Sequence, residues 1–185
     1  MNADYFYAMA VNNACSNERL LSACETLDQV DFEAQRTGFF PSIKLTLNHI
    51  LTVDWFYLDA LQNGGLGRSV YEPEVPCATI AGLARRQRST DRRLLAYCEA
   101  LQPPDISAVV ELARPRGVML QDRVDRVLAH LFVHQIHHRG QVHAMLSDTK
   151  CPPPQLDEFL LGSDAPLRRT ELRALQLREG QIWRD

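Results

Sequence analysis

Apolar residues recur every three to four positions along four long stretches of the chain, and this spacing is typical of one face of an α-helix. The predicted helices cover residues 4–27, 41–61, 79–101 and 121–147. Glycine and proline separate them, most clearly in the loop at residues 66–76. The pattern therefore predicts a helical bundle with a core at about residues 4–148.

Shorter elements are predicted outside the four helices. Residues 108–112 and 118–120 flank the turn Arg114-Pro115-Arg116-Gly117, which predicts a short hairpin. In a C-terminal extension of about residues 149–185, short helices are predicted at 157–161 and 166–175.

Two polar residues, Asn13 and Ser16, interrupt the apolar face of the first helix. The favoured interpretation is that the helix face simply tolerates them. The alternative is that this face looks into a wet pocket near its middle.

Composition indicates one ordinary globular domain over residues 1–185, with 45% hydrophobic and 23% charged residues. A net charge of −3 without a long basic run argues against nucleic acid as a partner. Asp54 and Asp59 break the most apolar stretch, which argues against a membrane span. Five scattered cysteines, without a CxxC pair, predict reduced thiols and a cytoplasmic location.

The third helix is locally basic. Its arginines predict a solvated outer face paired with nearby acids, and an anion-binding patch is the less favoured alternative. They are Arg85, Arg86, Arg88, Arg92 and Arg93.

Five of the six histidines lie between residues 129 and 148. His134 and His138 are four residues apart, so on a helix their side chains stack one turn apart on one face and could hold one metal ion. His130 and His134 have the same spacing, and spacing alone does not choose between the two pairs. The remaining histidine, His49, lies in the second predicted helix, and the bundle could bring it to either pair.

The segment from His134 to Gln141, HQIHHRGQ, resembles the signature of the DinB/YfiT-like family of metalloenzymes, which reads His, three residues, then His-Arg-Gly-Gln on the last helix. Residues 39–50, which end in Asn48-His49-Ile50, resemble the second helix of that family. The similarity covers nearly the whole chain, including residues 156–175.

This resemblance implies that His49, His134 and His138 are the metal ligands and that His130 is a neighbour that orients them. It implies an all-α fold, an up-down-down-up four-helix bundle that often forms a homodimer, with one divalent ion per chain, zinc or nickel. Some relatives are thiol transferases or isomerases that use bacillithiol or mycothiol.

Three residues of the signature have open roles. Arg139 could bind a substrate carboxylate or pair with a buried acid. Gln141 could hold a ligand in place or form a hydrogen bond at the helix end. Gly140 is expected to permit close approach of another helix.

The sequence is compatible with three functions. The first is a metal-dependent enzyme, a thiol-dependent S-transferase acting on small molecules or a hydrolase, because a metal with open coordination activates a thiol or a water. The second is a non-catalytic, dimeric metal-binding protein of the stress response, since no general acid or base stands beside the histidines. The third, a nucleic-acid-associated damage protein, is the least supported because of the charge.

Overall fold

Helices account for most of the structure, a computed structural model that describes residues 2–183. The helices are α1 (Ala3–Cys24), α2 (Gln29–Glu33), α3 (Ile43–Leu61), α4 (Ile80–Ala100), α5 (Val124–Leu146) and α6 (Arg169–Ala174). The mostly helical fold predicted from the sequence is therefore confirmed, and α2 is an element that the apolar pattern missed.

Side-chain caps mark where α3 and α4 begin. The Ser42 hydroxyl accepts a hydrogen bond from the Leu45 amide at 3.1 Å, so α3 starts at Ile43 and Pro41 stays outside it. Thr79 caps α4 in the same way, as predicted. Helix α1 ends at Cys24, three residues earlier than predicted.

The predicted hairpin is present, as strands β1 (Val109–Ala113) and β2 (Met119–Arg123). They pair antiparallel, with Val109 opposite Arg123 and Ala113 opposite Met119. Arg116 and Gly117 both have positive φ in the turn, a conformation that glycine adopts without strain. Because β2 uses residues up to 123, α5 begins at Val124 rather than at residue 121.

The C-terminal extension matches its prediction in one of two places. Helix α6 lies inside the predicted range 166–175, but the helix predicted at 157–161 is wrong. Phe159 is fully buried there beneath the guanidinium of Arg19, at 4.6 Å, and Arg19 also donates to the Gln155 carbonyl oxygen. Tertiary contacts thus hold an irregular segment against α1.

The four long helices contact one another in a ring, α1 with α4, α4 with α3, α3 with α5 and α5 with α1. Contacts along each pair show that α4 runs antiparallel to α1, that α3 and α4 run parallel, and that α5 runs antiparallel to α3. The contacts that establish this are Asn17 with Asp91, Glu25 with Arg88, Asp54 with Gln87, Gln62 with Arg93, Thr46 with Met145, and Tyr57 with His130.

A layer of buried polar side chains separates two apolar clusters of the core. This polar layer consists of Asn13, Asn17, Asp54, Gln87, Asp91, Gln135 and Arg139, all at most 4% exposed. Asn13 donates to Asp91 at 3.5 Å and accepts from Arg139. Ser16 is also buried and donates to the Leu156 carbonyl oxygen at 3.3 Å, so buried polar partners, rather than tolerance or a wet pocket, explain both interruptions of the first helix.

The fold bears on the predictions about the cysteines, the arginines of α4 and a membrane span. All five cysteines are buried and free of disulfides. Arg88 binds Glu18 and Glu25 while the other four arginines of α4 are exposed, which confirms the solvated outer face. Within the described residues, every helix is too short or too polar to cross a membrane.

Candidate metal centre

Three histidines meet where α3 packs against α5. Nε2 of His49 lies 3.0 Å from Nε2 of His134. The ring centre of His138 lies 4.7 Å from that of His49 and 4.4 Å from that of His134. One ring nitrogen from each residue lies within 4.8 Å of the other two, so the group could hold a metal ion.

Helix geometry explains this meeting of distant residues. His134 and His138 are one turn apart on the same face of α5. Because α3 runs antiparallel to α5 with Tyr57 beside His130, His49 comes to the level of the pair although it is 85 residues from His134 in sequence.

The other histidines lie outside this group. His130 is exposed, its ring centre is 6.2 Å from that of His134, and it packs edge-on against Tyr57 at 5.2 Å. His137 is exposed and contacts the Gln141 amide at 3.2 Å. His143 lies on the other side of α5. The geometry therefore groups His134 with His138 and leaves His130 aside.

Burial keeps the three grouped histidines neutral. Desolvation, together with a smaller effect of the neighbouring imidazoles, lowers the pKa of His134 to about 3 and that of His49 to about 4. Burial also lowers the pKa of His138, against the opposing effect of a hydrogen bond to Gln141. Neutral imidazole is the form that binds a metal, so the group is ready to act as ligands at neutral pH.

Gln141 fixes the orientation of one of the three rings. Its Oε1 atom lies 2.7 Å from Nδ1 of His138, and since a carbonyl oxygen only accepts, Nδ1 is assigned as the donor. The lone pair of His138 Nε2 is then free for a ligand. His134 differs, because its buried Nδ1 has no hydrogen-bond partner among residues 2–183.

The arrangement fits a divalent ion. Metal–nitrogen bonds of 2.0–2.1 Å with tetrahedral angles place ligand nitrogens about 3.3 Å apart, close to the 3.0 Å between His49 and His134. In the described part of the chain no carboxylate or thiolate joins the group. Three imidazoles with open positions are typical of catalytic zinc sites, and imidazole also suits nickel, copper and iron.

A cavity of about 650 Å³ adjoins the group. Phe40 packs on His49 with ring centres 4.3 Å apart and lines this cavity together with His49 itself. Most of its polar lining comes from the loop that the sequence indicates only as rich in glycine and proline, namely Arg68, Tyr71, Glu72 and Glu74, and Thr52 of α3 adds a hydroxyl. Sequence reasoning missed these residues because nothing in their own pattern indicates a site.

Asn48, the residue before His49, anchors the same region. Its side-chain amide donates to the Cys77 carbonyl oxygen at 3.0 Å and its Oδ1 accepts from the Cys77 amide at 2.9 Å. The end of the cavity loop is thereby tied to α3 beside the candidate ligand.

The remaining residues of the signature lie away from the histidines. Arg139 is only 4% exposed and donates to Asn13, Asn17 and Gln135, so its direct partners are amides, and of the two roles left open the structure shows no direct pairing with a buried acid of residues 2–183. The expected close approach at Gly140 is wrong, because a Cβ built there would meet open space.

Fold and site together define a mostly helical protein with a three-histidine group that could hold a metal ion. The chain belongs to the DinB family, whose model matches residues 1–166. The family prediction is thus confirmed, although the match ends before α6 and does not extend to residue 175. A comparison with curated proteins gave no match.

Proposed function

We propose that this DinB-family protein binds one divalent ion per chain, zinc or nickel, through His49, His134 and His138, and that it is a metal-dependent enzyme. The observation that carries the proposal is the convergence of three neutral imidazoles, one of which, His49, lines a 650 Å³ cavity. That volume is in the range of small-molecule sites.

The reaction that we favour is transfer of a low-molecular-weight thiol to a small electrophile. A bound divalent ion supplies Lewis-acid activation of the nucleophile. Arg68 would pair with an anionic part of the thiol or substrate. The thiol sulfur forms a bond to the electrophilic carbon, the leaving group departs with its electron pair, and Glu72 or Glu74 takes up the thiol proton. Hydrolysis is the second reaction that this arrangement supports.

The test is a screen of electrophilic substrates with glutathione, bacillithiol and mycothiol, using protein loaded with zinc or nickel. Mass spectrometry distinguishes a thiol adduct from a hydrolysis product. We expect adduct formation that is lost in His134→Ala and retained in His143→Ala, which alters a histidine on the same helix but outside the group.

The alternative is a non-catalytic metal-binding protein of the stress response. The sequence favours this alternative because no general acid or base stands beside the histidines. The carboxylates of Glu72 and Glu74 in the cavity wall weaken that argument. Metal binding without turnover of any electrophile would favour it over the enzyme.

We propose further that the four long helices form an up-down-down-up four-helix bundle within a single domain. The antiparallel pairs α1 with α4 and α3 with α5, and the parallel pair α3 with α4, support this topology. Both apolar clusters draw residues from all four helices, which supports one domain.

A homodimer is also proposed, as the family resemblance implies. The sequence offers as a second motive the apolar regions around Trp55 and Phe56 and near the C-terminus, but the structure favours a different surface. Phe56 is 2% exposed and Trp55 donates to Thr90 at 2.8 Å, so these residues serve the core. Exposed apolar side chains on the hairpin, Val118, Met119 and Leu120, support self-association instead. Light scattering should give twice the chain mass of 21.0 kDa, and Met119→Lys should lower it. The unpaired cysteines support the proposed cytoplasmic location.

A further inference from the structure

A second cavity, of about 500 Å³, lies in the groove between α1, α5 and residues 155–160. Its α5 wall carries Ile136, Arg139, Gly140 and His143, which are spaced along one helix face. At 100° per residue this face is roughly opposite to that of His134 and His138. The cavity is therefore separate from the candidate metal centre and is not used by the proposed reaction.

Arg139 brings a positive charge to this cavity, and the carboxyls of Asp91 and Asp54 act on it only through space. Its guanidinium donates through Nη1 alone, to Asn17 and Gln135 at 3.1 Å each and to Asn13. All three partners are neutral amides, and no carboxylate of residues 2–183 lies within 4.0 Å of it.

The other edge of the guanidinium is available. Nε and Nη2 have no acceptor among the described residues, and Arg139 lines the cavity although it is only 4% exposed. Neither atom is completely buried, so both N–H groups are open to the cavity that Arg139 lines. Those two groups match the two oxygens of a carboxylate.

The rest of the cavity wall is mainly apolar. Met9, Leu156 and Leu160 face Ile136 across the groove. Asp157 is also part of the lining, is exposed, and accepts a hydrogen bond from Gln155. Its negative charge disfavours a second anionic group on a ligand.

We propose that this cavity binds a small monocarboxylate with an apolar body, whose carboxylate pairs with Nε and Nη2 of Arg139. The volume lies in the range of small-molecule sites. The proposal also gives Gly140 a role, because a side chain at this position would extend into the open space of the groove.

Calorimetric titration of the full-length, metal-loaded protein with octanoate tests the proposal, with octanamide as the neutral control. We expect octanoate to bind at millimolar concentration or below and octanamide to bind about 10- to 100-fold more weakly, as the loss of charge-assisted hydrogen bonds implies. Equal binding of the two, or no binding of octanoate, would overturn the proposal.

Two variants locate the site. Gly140→Leu should abolish octanoate binding by filling the groove while leaving metal content unchanged, and Ala96→Leu, at an exposed position of α4, is the matched control. Arg139→Lys keeps the charge but removes the planar fork, and should weaken binding. If Arg139→Lys does not fold, Gly140→Leu decides alone, and undiminished binding in it contradicts the proposal.

A carboxylate could also bind to the metal itself. Titration of His134→Ala with octanoate distinguishes binding at the metal from binding in the groove, since binding in the groove should persist after the metal is lost. Loss of octanoate binding in His134→Ala together with its survival in Gly140→Leu would place the carboxylate at the metal and refute the second site.

Discussion

Nδ1 of His138 lies 2.7 Å from Oε1 of Gln141, a residue one turn further along the same helix. Two residues of one short signature are thus joined as candidate ligand and support. The contact selects the tautomer of His138 and holds its ring in place. Metal binding at the other ring nitrogen then costs little further rotational freedom of the side chain.

Replacement of Gln141 by leucine should therefore weaken metal binding without abolishing it. We expect a loss of affinity of about 10- to 100-fold, as for other supports of metal-bound histidines. Competition with a chromogenic chelator measures it. His137→Ala, which removes the contact at the other end of the Gln141 side chain, is the control and should have little effect. An unchanged affinity in Gln141→Leu would show that the hydrogen bond does not orient the ligand.

Asp54 should be protonated at neutral pH. It is 1% exposed, and burial raises its pKa well above the usual value, with the nearby Asp91 adding to the effect. Its Oδ2 accepts from Gln87 at 2.7 Å and from Gln135.

Asp54→Asn keeps a neutral group with a carbonyl acceptor, so we expect it to change the free energy of unfolding by less than about 1 kcal/mol. Asp54→Ala leaves two buried amide donors unpaired and should cost about 2–5 kcal/mol. Urea unfolding at pH 7 measures both. If the asparagine variant is as unstable as the alanine variant, the carboxyl is ionised in the folded protein.

Asp91 should make stability depend on pH. Burial raises its pKa to about 7, against the effects of its hydrogen bonds to Gln87 and Asn17. Between about pH 4 and pH 7 the folded protein holds a proton on Asp91 that the unfolded chain has released. The contribution of this group is thus full at low pH and is lost as the pH rises to 7.

Asp91→Asn removes this titration. The stability of the variant relative to the wild type should rise between pH 5 and pH 8, by up to roughly 3 kcal/mol. The comparison cancels groups that titrate in both proteins, including the histidines. A relative stability that is constant over this range would contradict the raised pKa.

The sequence predicts the long helices because their apolar spacing is a local property. It predicts α6 and the hairpin from local signals too, namely helix start and stop residues and a turn between two apolar runs. The polar layer could not be predicted, because its partners are far apart in sequence, with Arg139 122 residues from Asn17. The irregular course at 157–161 likewise depends on the distant Arg19. For the candidate site, spacing gave two equivalent histidine pairs, and only the family resemblance chose between them.

The last prediction decides which pair holds the metal. The two pairs differ by one turn, about 5.4 Å along α5, so each asks His49 to meet the helix at a different level. In the structure the ring centre of His49 is 4.7 Å from that of His138, whereas His130 is exposed and packs on Tyr57. His138→Ala, like His49→Ala and His134→Ala, should therefore strip the metal, because an incomplete ligand set no longer holds it. His130→Ala should retain it with modestly lower affinity. Elemental analysis and titration with zinc and nickel measure this, and loss of metal in His130→Ala with retention in His138→Ala would move the site up one turn.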